Sequence, residues 1–234
     1  MSKPNLLLLH GALGSKSQFS SLISLLEDAF QIHTLDFEGH GSSPLKERAF
    51  RMDHFAENVL DYLNENSLSR VDIFGYSMGG HVGLYLAKIH PERINRVFTL
   101  ATKFLWTPEL ADREAVSLEA DNILKKVPQF AEVLEERHIV SGWKNVLEKT
   151  KEMFLEQGKN DILPLEDMGQ IPHIVRIGVG DRDKMVSIEE SVETYLSLPR
   201  GELQIFPRTP HPLEKVLLSN LVHAIVDFFG VRGD

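Results

Sequence analysis

A chain of 234 residues that is 42% hydrophobic can bury the core of one domain, which excludes a disordered segment or a miniprotein scaffold. It contains no cysteine, so disulfides, thiolate metal ligands and a cysteine nucleophile are excluded, and covalent chemistry falls to serine, threonine or a carboxylate. A formal net charge of −9 argues against nucleic acid or an anionic membrane as partner, because both reward basic surfaces. The apolar run at 6–9 is too short for a secretory signal and nothing approaches about 18 apolar residues in succession, so the expectation is a soluble, cytoplasmic protein.

Residues 5–10 form a continuous apolar run that closes on His10-Gly11-Ala12-Leu13-Gly14, the pattern of a strand buried on both faces and followed by a glycine-rich turn. Phe19, Leu22, Ile23 and Leu26 then share a helical stripe, and a strand over 31–35 opens into Asp36-Phe37-Glu38-Gly39-His40-Gly41-Ser42-Ser43. Phe55, Val59, Tyr62 and Leu63 mark another helix. Residues 71–82 read as a short strand, a sharp turn carrying Ser77, and a helix with Val82, Tyr85, Leu86 and Ile89 on one face that ends at Pro91. A strand follows over 96–101.

From 104 to 170 the pattern changes to helical segments broken by Pro108, Pro128, Gly142, Gly158 and Pro164. This stretch carries fourteen Asp and Glu against eight Lys and Arg, a balance of −6, which solvated helix faces explain. Alternation then resumes with a strand over 172–179, a helix over 187–198, a strand over 202–206 and a final helix with Leu213, Val216, Leu217, Ala224, Ile225 and Phe228 as its stripe. The expected architecture is α/β: a doubly wound, mostly parallel sheet of about six strands. Residues 1–103 and 171–234 form its core, and 104–170 form an inserted helical lid.

Ligands of such sheets bind at the carboxyl ends of the strands, and there lie Ser77, the pair Asp181 and Asp183, and His211. Gly75-Tyr76-Ser77-Met78-Gly79 is a G-x-S-x-G elbow; the pattern alone recurs by chance in about one chain in ten of this length, so its partners carry the weight. A serine hydroxyl needs a base to take its proton, and His211, held between Pro210 and Pro212, is the candidate. Spacing leaves Asp181 and Asp183 as rival orienters of that imidazole. The charge that develops on a carbonyl oxygen needs donors: the Met78 N–H at the helix start, and one from the turn after His10. Of the other histidines, His10 and His40 are expected to play structural or loop roles beside the site, and His138 reads as an ordinary core or surface residue.

These residues resemble the α/β-hydrolase fold superfamily in the order His10-Gly11, Asp36-x-x-Gly39-His40-Gly41-x-Ser43, Gly75-x-Ser77-x-Gly79-Gly80, Gly180-x-x-Asp183 and His211. The likeness spans the chain, least tightly over 104–170. It implies Ser77, Asp183 and His211 as catalytic residues, with the backbone N–H groups of Ala12 and Met78 as oxyanion donors. It departs from the family at Pro210, where glycine commonly precedes the histidine, and in opening directly on the strand that carries His10-Gly11. Leu13, Phe104, Leu105, Trp106 and Trp143 are the expected pocket residues. The implied activity is that of a carboxylesterase-type serine hydrolase, cleaving a small ester or thioester through an acyl-enzyme without metal or cofactor, as a monomer or homodimer. The alternatives are a lyase or carbon–carbon bond hydrolase, which inward-facing Arg113 and Arg137 would support, and a non-catalytic ligand receptor.

Overall fold

Leu6 and Leu8 join one hydrophobic layer and Leu7 and Leu9 the other, as the two-residue period of a strand buried on both faces requires. They belong to β1 (Asn5–Leu9), the first strand in a computed structural model that describes residues 3–230. After it come α1 (Ser20–Leu26), β2 (Gln31–Thr34), α2 (Met52–Glu65), β3 (Val71–Tyr76), α3 (Met78–Ile89) and β4 (Ile94–Leu100). Four helices occupy the next stretch: α4 (Pro108–Ser117), α5 (Ala120–Lys126), α6 (Pro128–Arg137) and α7 (Trp143–Lys159). The chain then returns to the sheet with β5 (Ile174–Gly180), α8 (Ile188–Ser197), β6 (Gly201–Phe206) and α9 (Leu218–Phe229).

The strands form one parallel six-stranded sheet in the order β2-β1-β3-β4-β5-β6. From β1 the chain steps to β2 on one side and then crosses to β3 on the other. That reversal puts the loops after β1 and β3 side by side, with Leu9 paired to Gly75, and opens the crevice where ligands of such sheets bind. Phe19 just before α1 and Leu22 within it, with Leu221, Ile225 and Phe228 of α9, cover one face. Phe55 and Val59 of α2 and Val82 and Leu86 of α3 cover the other, continuous with Val146 and Met153 of α7. Among the described residues no helix is long and apolar enough to cross a membrane.

Two expectations from periodicity shift. On α3 a single stripe understates burial: His81, Gly83 and Leu84 are buried as well, while Ile89 is 39% exposed, because the helix is packed between the sheet and its neighbours. The last helix begins at Leu218 rather than near Leu213. Leu213 sits in a separate turn of 3-10 helix (Leu213–Lys215), and Leu217 is exposed.

The entry to the four-helix stretch is fixed by one carboxylate. Ser187 and Glu190 form a capping box at the start of α8, and Glu190 Oε1 also accepts hydrogen bonds from the N–H groups of Phe104 (2.9 Å) and Leu105 (3.2 Å). Pro108 then starts α4, capped by the Thr107 hydroxyl, which accepts from the Leu110 N–H.

Candidate active site

Ser77 sits between β3 and α3 with φ 50° and ψ −119°, a conformation that costs a non-glycine residue free energy and persists only where its surroundings impose it. Here they do. Its N–H donates to the Leu100 carbonyl at 2.8 Å, and its own carbonyl accepts from Thr102 Oγ1 at 2.9 Å. The flanking glycines permit the close approach: a Cβ on Gly75 would stand 2.5 Å from Gly80 N, and one on Gly79 would stand 2.3 Å from the Leu9 carbonyl oxygen.

His211 reaches the serine from the loop after β6, its Nε2 lying 3.5 Å from Ser77 Oγ. On the other side of the ring, Nδ1 stands 2.8 Å from Asp183 Oδ2. The Asp183 side chain is fully buried, and its second oxygen accepts from the N–H groups of Met185 (2.8 Å) and Val186 (2.9 Å). A carboxylate so held can only accept from the imidazole, which places the ring proton on Nδ1 and leaves the Nε2 lone pair toward Ser77. The 3.5 Å separation is longer than a formed hydrogen bond, as is common before a substrate draws such groups together. Asp181, the rival, accepts the Thr209 N–H at 3.1 Å and so ties the acid turn to the histidine loop instead. Tyr76 steadies that loop too, its hydroxyl donating to the His211 carbonyl at 3.0 Å.

Ala12 and Met78 both border the cavity above Ser77, and among the described residues neither N–H donates a hydrogen bond. Ala12 belongs to the turn after β1, which is held from the far side. Arg137 Nη1 (2.8 Å) and His138 Nε2 (3.0 Å), at the end of α6, both donate to the Leu13 carbonyl. His138 Nδ1 accepts the Gly41 N–H at 3.0 Å, so this ring spans the two loops after β1 and β2. Burial, with the nearby Arg137 charge, pushes His138 down to about 4. His10, buried beside it, is likewise pushed down to about 4 by burial; its Nε2 accepts the Phe37 N–H at 3.2 Å. Sequence reasoning passed over His138 because it lies 125 residues from Leu13, and no local pattern announces such a contact.

The cavity has a volume of about 410 Å³ counting its open mouth. Of the five residues expected to line it, Trp106 does so. Leu13, Phe104 and Trp143 are instead buried in the core beneath it, and Leu105 is 52% exposed; none of these four borders the cavity. Met52, His81, Glu114 and Phe154 do, and of these only His81, on the elbow helix, stands near the site by its position in the chain. Arg113 is exposed and pairs with the buried Glu114, Arg137 is engaged with Leu13, and neither arginine borders the cavity. Among the described residues no three His, Asp or Glu side chains converge as metal ligands.

Residues 4–138 match the sequence model of the alpha/beta hydrolase fold. The chain belongs to the α/β-hydrolase fold family. Among solved structures, MGS-M2, an alpha/beta hydrolase enzyme from a Medee basin deep-sea metagenome library, superposes on this α/β-hydrolase with a TM-score of 0.84 at 16% identity, covering 100% of this chain and 92% of that one. A probable alcohol acetyltransferase of Cyberlindnera jadinii is 28% identical over 148 residues, 61% of this chain and 38% of that protein. The pimeloyl-[acyl-carrier protein] methyl ester esterase of Aeromonas hydrophila subsp. hydrophila is 33% identical over 100 residues, 42% of this chain and 38% of that protein. The α/β-hydrolase thus spans about two fifths of the length of these curated relatives.

Proposed function

We propose that this α/β-hydrolase is a serine esterase that cleaves a small ester or thioester through an acyl-enzyme. The observation that carries the reading is the chain of contacts from Asp183 through His211 to Ser77 at a strained turn. Ser77 Oγ attacks the carbonyl carbon while His211 Nε2 takes its proton, and the buried Asp183 carboxylate stabilises the imidazolium that forms. The carbonyl oxygen becomes an oxyanion facing the free N–H groups of Ala12 and Met78, the latter at a helix start where the dipole favours negative charge. Collapse breaks the bond to the alcohol or thiol, which leaves with the proton from His211. A water molecule, deprotonated by the same histidine, then frees the acid and restores Ser77.

Residues 104–170 serve in this reading as a lid over the core formed by 1–103 and 171–234. Its support is that Trp106, Glu114 and Phe154 come from that stretch and border the cavity. A cavity of about 410 Å³, at the small end for ligand pockets, favours a small acyl group. Turnover of short p-nitrophenyl esters should fall on the order of 10⁴- to 10⁶-fold in Ser77→Ala. Turnover retained by that variant would end the proposal.

The alcohol acetyltransferases among its relatives favour a second outcome of the same acyl-enzyme, its discharge by an alcohol in place of water. Product analysis with ethanol present separates the two: an acetyl donor gives ethyl acetate if transfer prevails and acetic acid if hydrolysis does.

A further inference from the structure

Two residues that border the cavity, His81 and Trp106, each carry a buried ring nitrogen that the reaction above does not use. His81, one turn along α3 from Ser77, is 1% exposed. Its Nε2 lies 3.3 Å from Gln157 Nε2, and that same amide nitrogen donates to Asp161 Oδ1 at 2.6 Å. Only the amide's NH₂ group can face a carboxylate oxygen, which here also accepts from the Leu163 N–H at 2.9 Å. The second amide hydrogen therefore goes to His81, whose Nε2 is the acceptor. His81 Nε2 and Asp161 Oδ1 are 3.7 Å apart, too far to share a proton. The ring proton is thus on Nδ1, and that atom is buried with no partner among the described residues.

Trp106 repeats the situation. Its indole nitrogen can only donate, and it too is buried without a partner among the described residues, while the ring packs against Phe154 at 5.1 Å between centroids. A buried N–H left unpaired is costly, and an occupant of the cavity that offers an oxygen removes the cost. Lys103 and Glu114 border the same cavity, and the Glu114 carboxylate is paired with Arg113 at 3.3 Å, so its charge is already met. Lys103 Nζ is moreover engaged with the Met185 carbonyl at 2.9 Å.

We infer that the substrate carries a second, uncharged oxygen besides the reacting ester, a keto or hydroxyl group, which accepts hydrogen bonds from His81 Nδ1 and Trp106 Nε1. The inference rests on the esterase reading and names its substrate class: oxygenated short-chain esters rather than plain alkyl ones. His81 and Trp106 are then specificity residues, each contributing a hydrogen bond that an alkyl chain cannot accept.

The test compares ethyl butanoate, ethyl 3-oxobutanoate, ethyl 3-hydroxybutanoate and monoethyl succinate. Their kcat/KM values are measured with the full chain and divided by their rates with hydroxide, and their binding to Ser77→Ala is measured by calorimetry. Both uncharged oxygenated esters should exceed ethyl butanoate on the order of tenfold in kcat/KM and in affinity, whereas the succinate should show no such gain. The ratio of 3-oxobutanoate to butanoate should fall several-fold in Trp106→Phe and in His81→Leu. It should recover in His81→Asn, whose amide nitrogen can stand where Nδ1 stood. A wild-type ratio near one, or a ratio that neither Trp106→Phe nor His81→Leu moves, would overturn the inference, and a preference for the succinate would overturn the uncharged assignment. If none of the four esters were turned over while Ser77→Ala kept the binding preference, the esterase reading would fall and the donor pair would stand.

Discussion

Asp181 and Asp183 stand on one turn after β5, yet only Asp183 reaches the imidazole. The difference is one of direction: the Asp181 side chain turns to the Thr209 N–H, and Asp183 is buried beneath His211. Asp183→Asn offers the imidazole an amide where it needs an acceptor, favours the wrong tautomer, and should lower kcat on the order of 10⁴-fold. Asp181→Asn keeps an oxygen for the Thr209 N–H, so kcat should stay within about tenfold of the parent. Ester turnover by the two variants decides between the acids, and equal losses would contradict this assignment. In the sequence the pair could not be told apart by spacing, and only the likeness to the family's acid turn favoured Asp183. Side-chain direction on a turn is set by contacts with other loops, which a linear reading does not contain.

At the scale of elements, the strand, elbow and helix from β3 to α3 were legible because each signal was local: a short run apolar but for Asp72, a glycine-flanked serine, and an apolar helix face that stops just before a proline. The parallel direction of the strands, though not their order, followed from strands alternating with helices. What stayed hidden were facts of packing. Phe104 and Trp143 have the composition of pocket residues but fill the core: Glu190 holds Phe104 in the segment before α4, and Trp143 opens α7, which packs on α4. The late start of α9 escaped notice because Leu213 continues the helical spacing while lying in a separate turn. The elbow's close approach yields a test at this scale. Gly79→Ala forces a methyl against the Leu9 carbonyl, where backbone rather than a flexible side chain must move. The variant should lose about 1–3 kcal/mol in urea unfolding and most of its ester turnover, since α3 carries the Met78 N–H. Parental stability and activity in Gly79→Ala would show that the helix and β1 are less tightly set than described.

Across the whole molecule, the stretch between β4 and β5 is fastened to the loops around the cavity at two places. Glu190 holds its entry at Phe104 and Leu105, and Arg137 and His138 hold the Leu13 carbonyl and thereby the turn that presents Ala12. His138 can fill both its contacts only when neutral, since its Nδ1 must accept from Gly41. Folded, it takes up a proton at about 4, against an ordinary value of 6.5. Between those pH values the unfolded chain binds more protons, so stability falls as pH drops from 6.5 toward 4 and is lost no further below. In His138→Gln the slope of unfolding free energy against pH over that window should be shallower by up to about 1.4 kcal/mol per pH unit. His10 remains to supply its own share. Unfolding in urea at several pH values measures both slopes, and identical slopes would count against the clasp. The central claim concerns one atom, Ser77 Oγ, and a fluorophosphonate probe followed by peptide mass mapping tests it most directly. The expected result is a single adduct on Ser77, formed at a rate that falls sharply in His211→Ala and absent in Ser77→Ala. An adduct on another residue, or labelling that survives in Ser77→Ala, would contradict the account.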